Sequence, residues 1–290
     1  MDTVKTSKNR SSKKTKRIII IISAVLIVAI AAAVIALPFL AVGAVWGGLN
    51  LLKPVIYPEY YSIKSDLCTN PGLSDGFVCQ GICAYEGEKE DKIFVSGYMK
   101  DGSNSRIYVT DLNNNSYYVN LLTPEGEDFI GHAGGIAIQG EMVFVADDSA
   151  LWLFPIEHLL DAENGDFIRF SRTLPVNNAA SFVFGFDEYI LVGEFHDGEN
   201  YITDNYYKTP NGDENHAIVS IYDDLDVYKG DGKELLPEGI ISIPDKVQGI
   251  CSTPDGKLIM STSYGLADSV YYIFKPVGSV CIVNYNSVIG

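Results

Sequence analysis

The chain has 290 residues, 47% of them hydrophobic, with 21 basic and 37 acidic side chains and a formal net charge of −16. That length allows one large domain or two small ones. The acidic balance argues against nucleic acid as a partner, and against anionic lipid for the bulk of the chain.

The N-terminus departs from this average. Seven basic residues (Lys5, Lys8, Arg10, Lys13, Lys14, Lys16 and Arg17) stand in the first 17, where Asp2 is the one acid, so the remaining 14 basic and 36 acidic residues carry −22. Ile18 to Trp46 then runs 29 residues without a charge, and about 20 apolar residues span a bilayer as a helix. Ala41, Gly43 and Ala44 would suit a cleavage site, but the apolar segments of secretory signals are only about 7–15 residues long, which favours an uncleaved anchor. Basic flanks stay on the cytoplasmic side. The expectation is a cytoplasmic tail (1–17), one transmembrane helix (18–46), a linker (47–76) and an extracellular C-terminal domain (77–290), in a single-pass cell-membrane protein.

From Phe77 onward, short β-type runs alternate with Gly, Asp and Asn turns. They group into four units. The first has strands near Cys79–Tyr85, Lys92–Tyr98, Ser105–Asp111 and Tyr117–Leu122. The second has strands near Gly135–Ile138, Met142–Asp147, Leu151–Pro155 and Phe167–Leu174, with a short helix at Ile156–Ala162. The third uses Ser181–Phe186, Tyr189–Phe195, Ala217–Tyr222 and Ile240–Ile243. The fourth uses Gln248–Ser252, Leu258–Tyr264, Ser269–Phe274 and Val280–Tyr285. One stretch occurs twice: Gln80-Gly81-Ile82-Cys83, then Ile93–Tyr98 and Ser105–Tyr108, returns as Gln248-Gly249-Ile250-Cys251, then Leu258–Tyr264 and Ser269–Tyr272. Four-stranded units repeated along a chain predict an all-β propeller. Parallel α/β folds need long helices between strands, which the pattern lacks; a β-sandwich is the rival. Four units at the low end of the usual four to eight blades suggest a shortened member of a five- or six-bladed family.

Five cysteines (Cys68, Cys79, Cys83, Cys251 and Cys281) all follow the apolar segment, and an odd number leaves one unpaired. Cys68 with Cys79 would close a short loop. Cys83 and Cys251 hold equivalent places in the repeat, as packing residues would. Asp111, Asn113 and Asn115 imitate a calcium loop, but Ser116 and Leu122 stand where Gly and a bidentate Glu belong; an Asn-rich turn is expected. No HExxH or phosphate-loop motif is present.

Propeller topology places the loops that lead into each innermost strand and the loops between second and third strands on one face. The first set carries Gln80, His132, Ser181 and Gln248; the second carries Tyr98, Asp147, Asp148, Glu194, His196 and Tyr264. These residues converge on a candidate ligand site. Among them His132 and Glu194 are the candidate metal ligands, since His is a common ligand and an acid at a strand end needs a partner or a cation. The insertion from His196 to His216, rich in Tyr and acids, is either a lid or a surface loop.

With Gln80–Ile82, Gln248–Ile250, His132–Ile136 and Val192–Phe195, residues 77–285 resemble bacterial extracellular β-propellers of the YncE, NHL-repeat and gluconolactonase-like type. That resemblance implies a binding module for an extracellular protein or small molecule. Its alternative is a metal-dependent hydrolase of lactonase or esterase type, with a divalent cation such as Ca²⁺ at the channel mouth.

Overall fold

Runs such as Lys92–Met99 and Met142–Asp147 are buried on both faces, so each sheet has to be covered on both sides by its neighbours. In the computed structural model, which describes residues 52–223, 234–265, 268–274 and 283–284, four small, mainly antiparallel sheets meet this need by stacking as blades in a propeller-like ring. The basic tail, the apolar 18–46 segment and Cys281 lie outside the described residues. No helix among the described residues is long and apolar enough to cross a membrane. Two compact units divide the chain, residues 1–66 and 67–290. Within the segment expected as a linker, Pro58–Ile63 forms helix α1, with Pro58 at its first turn, where its missing N–H costs nothing.

The first blade orders β1 (Phe77–Tyr85), β2 (Lys92–Met99), β3 (Arg106–Asp111) and β4 (Ser116–Leu122). The second orders β5 (Gly135–Gln139), β6 (Met142–Asp147), β7 (Ala150–Pro155) and, after helix α2 (Glu157–Leu160) and strand β8 (Phe167–Arg169), β9 (Arg172–Pro175). The third contains β10 (Phe182–Phe186) and β11 (Tyr189–Gly193), then, beyond a small hairpin of β12 (Tyr207–Lys208) and β13 (Glu214–Asn215), β14 (Ala217–Asp223) and β15 (Gly239–Ile243). The fourth is β16 (Val247–Ser252), β17 (Leu258–Thr262) and β18 (Val270–Phe274).

Two expectations about strands need correction. Phe167–Leu174 is two strands, not one. β8 adds to the first blade, parallel to β4, with Asn120 opposite Phe167, while β9 completes the second blade against β7. The handover is made by backbone groups: Phe170 N–H donates to Leu122 O at 3.0 Å, and Ser171 N–H to Leu153 O at 2.7 Å. The described part of Val280–Tyr285, β19 (Val283–Asn284), pairs with β15 of the third blade rather than with β18. The cysteine pairing also fails: Cys68 and Cys79 are free thiols in one apolar cluster, and Asn70 Nδ2 donates to Cys79 Sγ at 3.0 Å. The Asn-rich turn holds, since Asp111 Oδ1 accepts the N–H groups of Asn113 and Asn115, both at 2.8 Å, around a left-handed Asn114.

Blades join face to face through apolar cores. Phe94, Ile107 and Leu121 of the first meet Ile136, Val145 and Phe154 of the second. Phe144, Leu151 and Leu153 meet Val183, Ile190 and Val192 of the third. Phe182, Leu191 and Val219 meet Val247, Ile250 and Met260 of the fourth. The innermost strands pack in the same order, β1 on β5, β5 on β10 and β10 on β16; no comparable packing returns from β16 to β1 among the described residues. Instead β1 and β16 both line a central cavity of about 270 Å³.

Candidate functional site at the channel mouth

The pocket begins with two strand defects. In β1, Cys79 faces Gly97 and Gly81 faces Ser96, leaving Gln80 without a register partner. In β16, Val247 faces Thr262 and Gly249 faces Ser261, leaving Gln248 in the same position. A β-bulge turns the extra residue out of the ladder and can re-aim its side chain; here both glutamines line the pocket at the mouth. Gln248 Nε2 donates to Ser263 O at 2.9 Å, so it is tied to its own blade rather than to a neighbour.

The second blade supplies the acids. Asp147 ends β6 and is 7% exposed. The Ala133 N–H donates to its Oδ1 at 3.2 Å, with Ala133 in the left-handed region at φ 49°. Gly131 lies so close to this carboxylate that a Cβ there has no room. Burial raises the Asp147 pKa, the neighbouring Asp148 adds to the rise, and the backbone amides of Ala133 and His132 oppose it. Asp148 is exposed and also left-handed, φ 53°, a conformation in which Asp is among the better tolerated side chains. Its main-chain carbonyl accepts the N–H of Ala180, which ties the second blade to the third.

The third and fourth blades supply rings and a hydroxyl. Ser181 Oγ accepts the Phe195 N–H at 3.2 Å. The Phe195 ring packs against Tyr201 at 5.4 Å and Tyr264 at 5.8 Å. Tyr201 belongs to the insertion, which Asp197 organises by accepting the N–H groups of Glu199, Asn200 and Tyr201 at 2.8–2.9 Å. Asn200 Nδ2 then donates to Tyr264 Oη at 3.1 Å. Burial works against the Asp197 charge, but these amides outweigh it and hold the carboxyl well below its ordinary range. The resulting pocket, about 290 Å³, draws its wall from all four blades: Gln80; His132, Asp147 and Asp148; Ser181, Phe195 and Tyr201; Gln248 and Tyr264.

No protein-family model and no curated protein matches the chain. Among solved structures, the hydrazine synthase of Kuenenia stuttgartiensis is similar over 63% of this chain and 46% of that one, at 11% identity and a TM-score of 0.35. The chain thus spans about half the length of that neighbour. At that score and identity the likeness says nothing about function.

Three expected site residues stand outside the pocket wall. Tyr98 sits behind it, edge-on to the His132 ring at 5.2 Å and 77°. Glu194, 4% exposed, is covered by the insertion. Its Oε2 accepts from Asn205 Nδ2 at 2.7 Å and from the Ile218 N–H at 3.1 Å; burial raises its pKa while these donors and the Ala179 amide oppose the rise. His196 is buried, its Nδ1 held by the Thr203 amide at 3.1 Å and hydroxyl at 2.9 Å. Its ring stacks on His216 at 4.8 Å and 19°, and His216 Nδ1 lies 2.9 Å from Asp245 Oδ2.

Sequence reasoning gave no place to Asp245, which has no motif around it. His196, His216 and Asp245 bring ligand-type atoms within 4.8 Å of one another, a group to which neither His132 nor Glu194 belongs. Imidazole lone pairs lie in the ring plane, so two nearly parallel stacked rings do not aim at one point. The trio is built as a packed polar cluster, and a shared ion would need one ring to rotate.

Proposed function

We propose that the chain is a membrane-anchored extracellular binding module of the YncE, NHL-repeat and gluconolactonase-like kind, whose ligand meets the pocket at the channel mouth. The observation that carries this reading is the convergence of side chains from all four blades on one cavity of about 290 Å³, near the lower end of the size range of small-molecule sites, about 300–1,000 Å³. Apolar walls with a few convergent polar groups are what such sites are made of. The anchor rests on the basic tail followed by the uncharged 18–46 run. The hydrolase alternative draws less support, because Glu194 already accepts two hydrogen bonds from within the fold and does not line the pocket.

A fragment panel titrated into the full chain tests the site. Binders are expected to lose affinity together in Gln80→Ala and Tyr201→Ala, and to keep it in Asp255→Ala, a change in the β16–β17 turn at the other end of the blade. Binders unaffected by either pocket variant would sink the reading. The anchor is tested separately: a C-terminal tag should be open to protease on whole cells and an N-terminal tag protected.

A further inference from the structure

We infer that the pocket takes a compact organic cation, an alkylammonium with a small apolar body; this rests on the pocket being the ligand site. Two adjacent carboxylates, Asp147 and Asp148, line one part of the wall, and Phe195, Tyr201 and Tyr264 line another. The acids are not equivalent. Asp147 is buried and bonded to the Ala133 amide. Asp148 is exposed and its carboxylate makes no hydrogen bond or ion pair within the described residues, so its charge is available to a ligand.

Aromatic faces attract cations because the ring quadrupole is negative over the plane. The chain itself demonstrates this at the rim: the Lys246 ammonium lies 5.7 Å from the centre of the Tyr264 ring. Lys246 does not line the pocket, and no Lys or Arg is among its lining residues; the imidazole of His132 is the one basic side chain on the wall, beside Asp147. An anionic ligand would meet two carboxylates. A neutral one would forgo the charge of Asp148 altogether. A cation with methyl or methylene groups satisfies both the acids and the rings, and Ala179 and Ala180 give its apolar part a surface to cover.

Choline and its uncharged isostere 3,3-dimethylbutan-1-ol separate charge from shape. Titrated into the full chain by calorimetry, choline should bind at least about tenfold more tightly than the isostere. Asp148→Asn removes the charge at constant size, and Asn also tolerates the left-handed backbone, so the fold is kept. It should lower choline affinity about tenfold and leave the isostere unchanged. Equal affinity for the two probes, or indifference of choline to Asp148→Asn, overturns the inference. So does Ca²⁺ binding that Asp148→Asn abolishes while choline does not bind. If neutral or anionic fragments bind and are lost in Tyr201→Ala while choline fails, the cation inference falls and the binding-module reading stands. If nothing binds at all, both fall.

Discussion

Gln80 and Gln248 hold the same position in two blades: each is the residue left over where an innermost strand slips against its neighbour. The glycines that follow them do not share an environment. A methyl group on Gly81 would come within 2.7 Å of Gly135 Cα, Ile136 N and Ser96 Oγ, whereas one on Gly249 would meet nothing within 4 Å. Gly81→Ala should therefore destabilise by about 1–3 kcal/mol through overpacking against the second blade. Gly249→Ala should be neutral or stabilising by up to about 1 kcal/mol, because alanine restricts the unfolded chain. Urea unfolding of the two variants side by side checks this; equal costs would contradict the asymmetry.

Asp147 and Glu194 carry a pH dependence of definite sign. Burial raises both carboxyls, so across the interval between unfolded and folded pKa the folded state binds more protons. Stability should fall as pH rises through that interval, which starts at the ordinary values of 3.8 and 4.5. The hydrogen-bonded Asp101, Asp111, Asp197 and Asp255, whose pKa values are lowered, act in the opposite sense. The informative quantity is thus the difference between parent and variant. In Asp147→Asn and Glu194→Gln, urea midpoints measured between about pH 4 and 8 should decline less with pH than those of the parent chain. Identical slopes would mean that neither group is held protonated longer by the fold.

The blades are legible in the sequence because each strand is a short β-branched or aromatic run bounded by turn residues, and sequential strands pair with one another. What fails is non-local. Nothing in Phe167–Leu174 marks the step at Phe170 and Ser171 where the chain passes from one blade to the next, since no Gly, Pro, Asn or Asp separates the two short β-type pieces. The mouth is legible as topology, which is why Gln80, His132, Asp147, Asp148, Ser181, Gln248 and Tyr264 share one wall. Glu194 and His196 sit at the expected strand end but are roofed by the insertion, whose fold depends on Asp197 accepting particular amides and on Thr203 donating to His196 Nδ1 and to the His216 carbonyl. The bulges at Gln80 and Gln248 depend on a register that no single strand encodes.

Asp197→Ala should loosen the insertion and withdraw Tyr201 from the pocket, because three backbone N–H groups lose their acceptor. Limited proteolysis should cut within 198–206 faster than in the parent, with little change in global unfolding. Asp197→Asn, which keeps an acceptor oxygen, should be cut at an intermediate rate. Unchanged cleavage in the alanine variant would show that the loop is held by its rings instead.

The thiols should differ in reactivity. Burial pushes the Cys83 thiol up to about 12, while Cys251 is exposed and its pKa is raised by burial to a lesser extent. Since the thiolate is the nucleophile, iodoacetamide near neutral pH should modify Cys251 well before Cys83, as peptide mapping by mass spectrometry would show. The reverse order would contradict the packing of Cys83 against the core of the first two blades.

Among the described residues, cores join neighbouring blades only in chain order, so within them the propeller-like ring has a seam between its fourth and first blades and behaves like a short pile with a top and a bottom. A closed hoop must tear at two seams to lose a blade, but a pile can shed its last member at one. That member is the fourth blade, whose outermost strand among the described residues, Val270–Phe274, is exposed at every residue. In such an arrangement stability is a sum of units and the interfaces between successive units. Amide exchange should accordingly be fastest in β16–β18 and slowest in the second and third blades, each of which has a core on both sides. Half of the ligand pocket's tyrosine wall, Tyr264, rides on the member that leaves first, so occupancy of the pocket and the integrity of the pile rise and fall together.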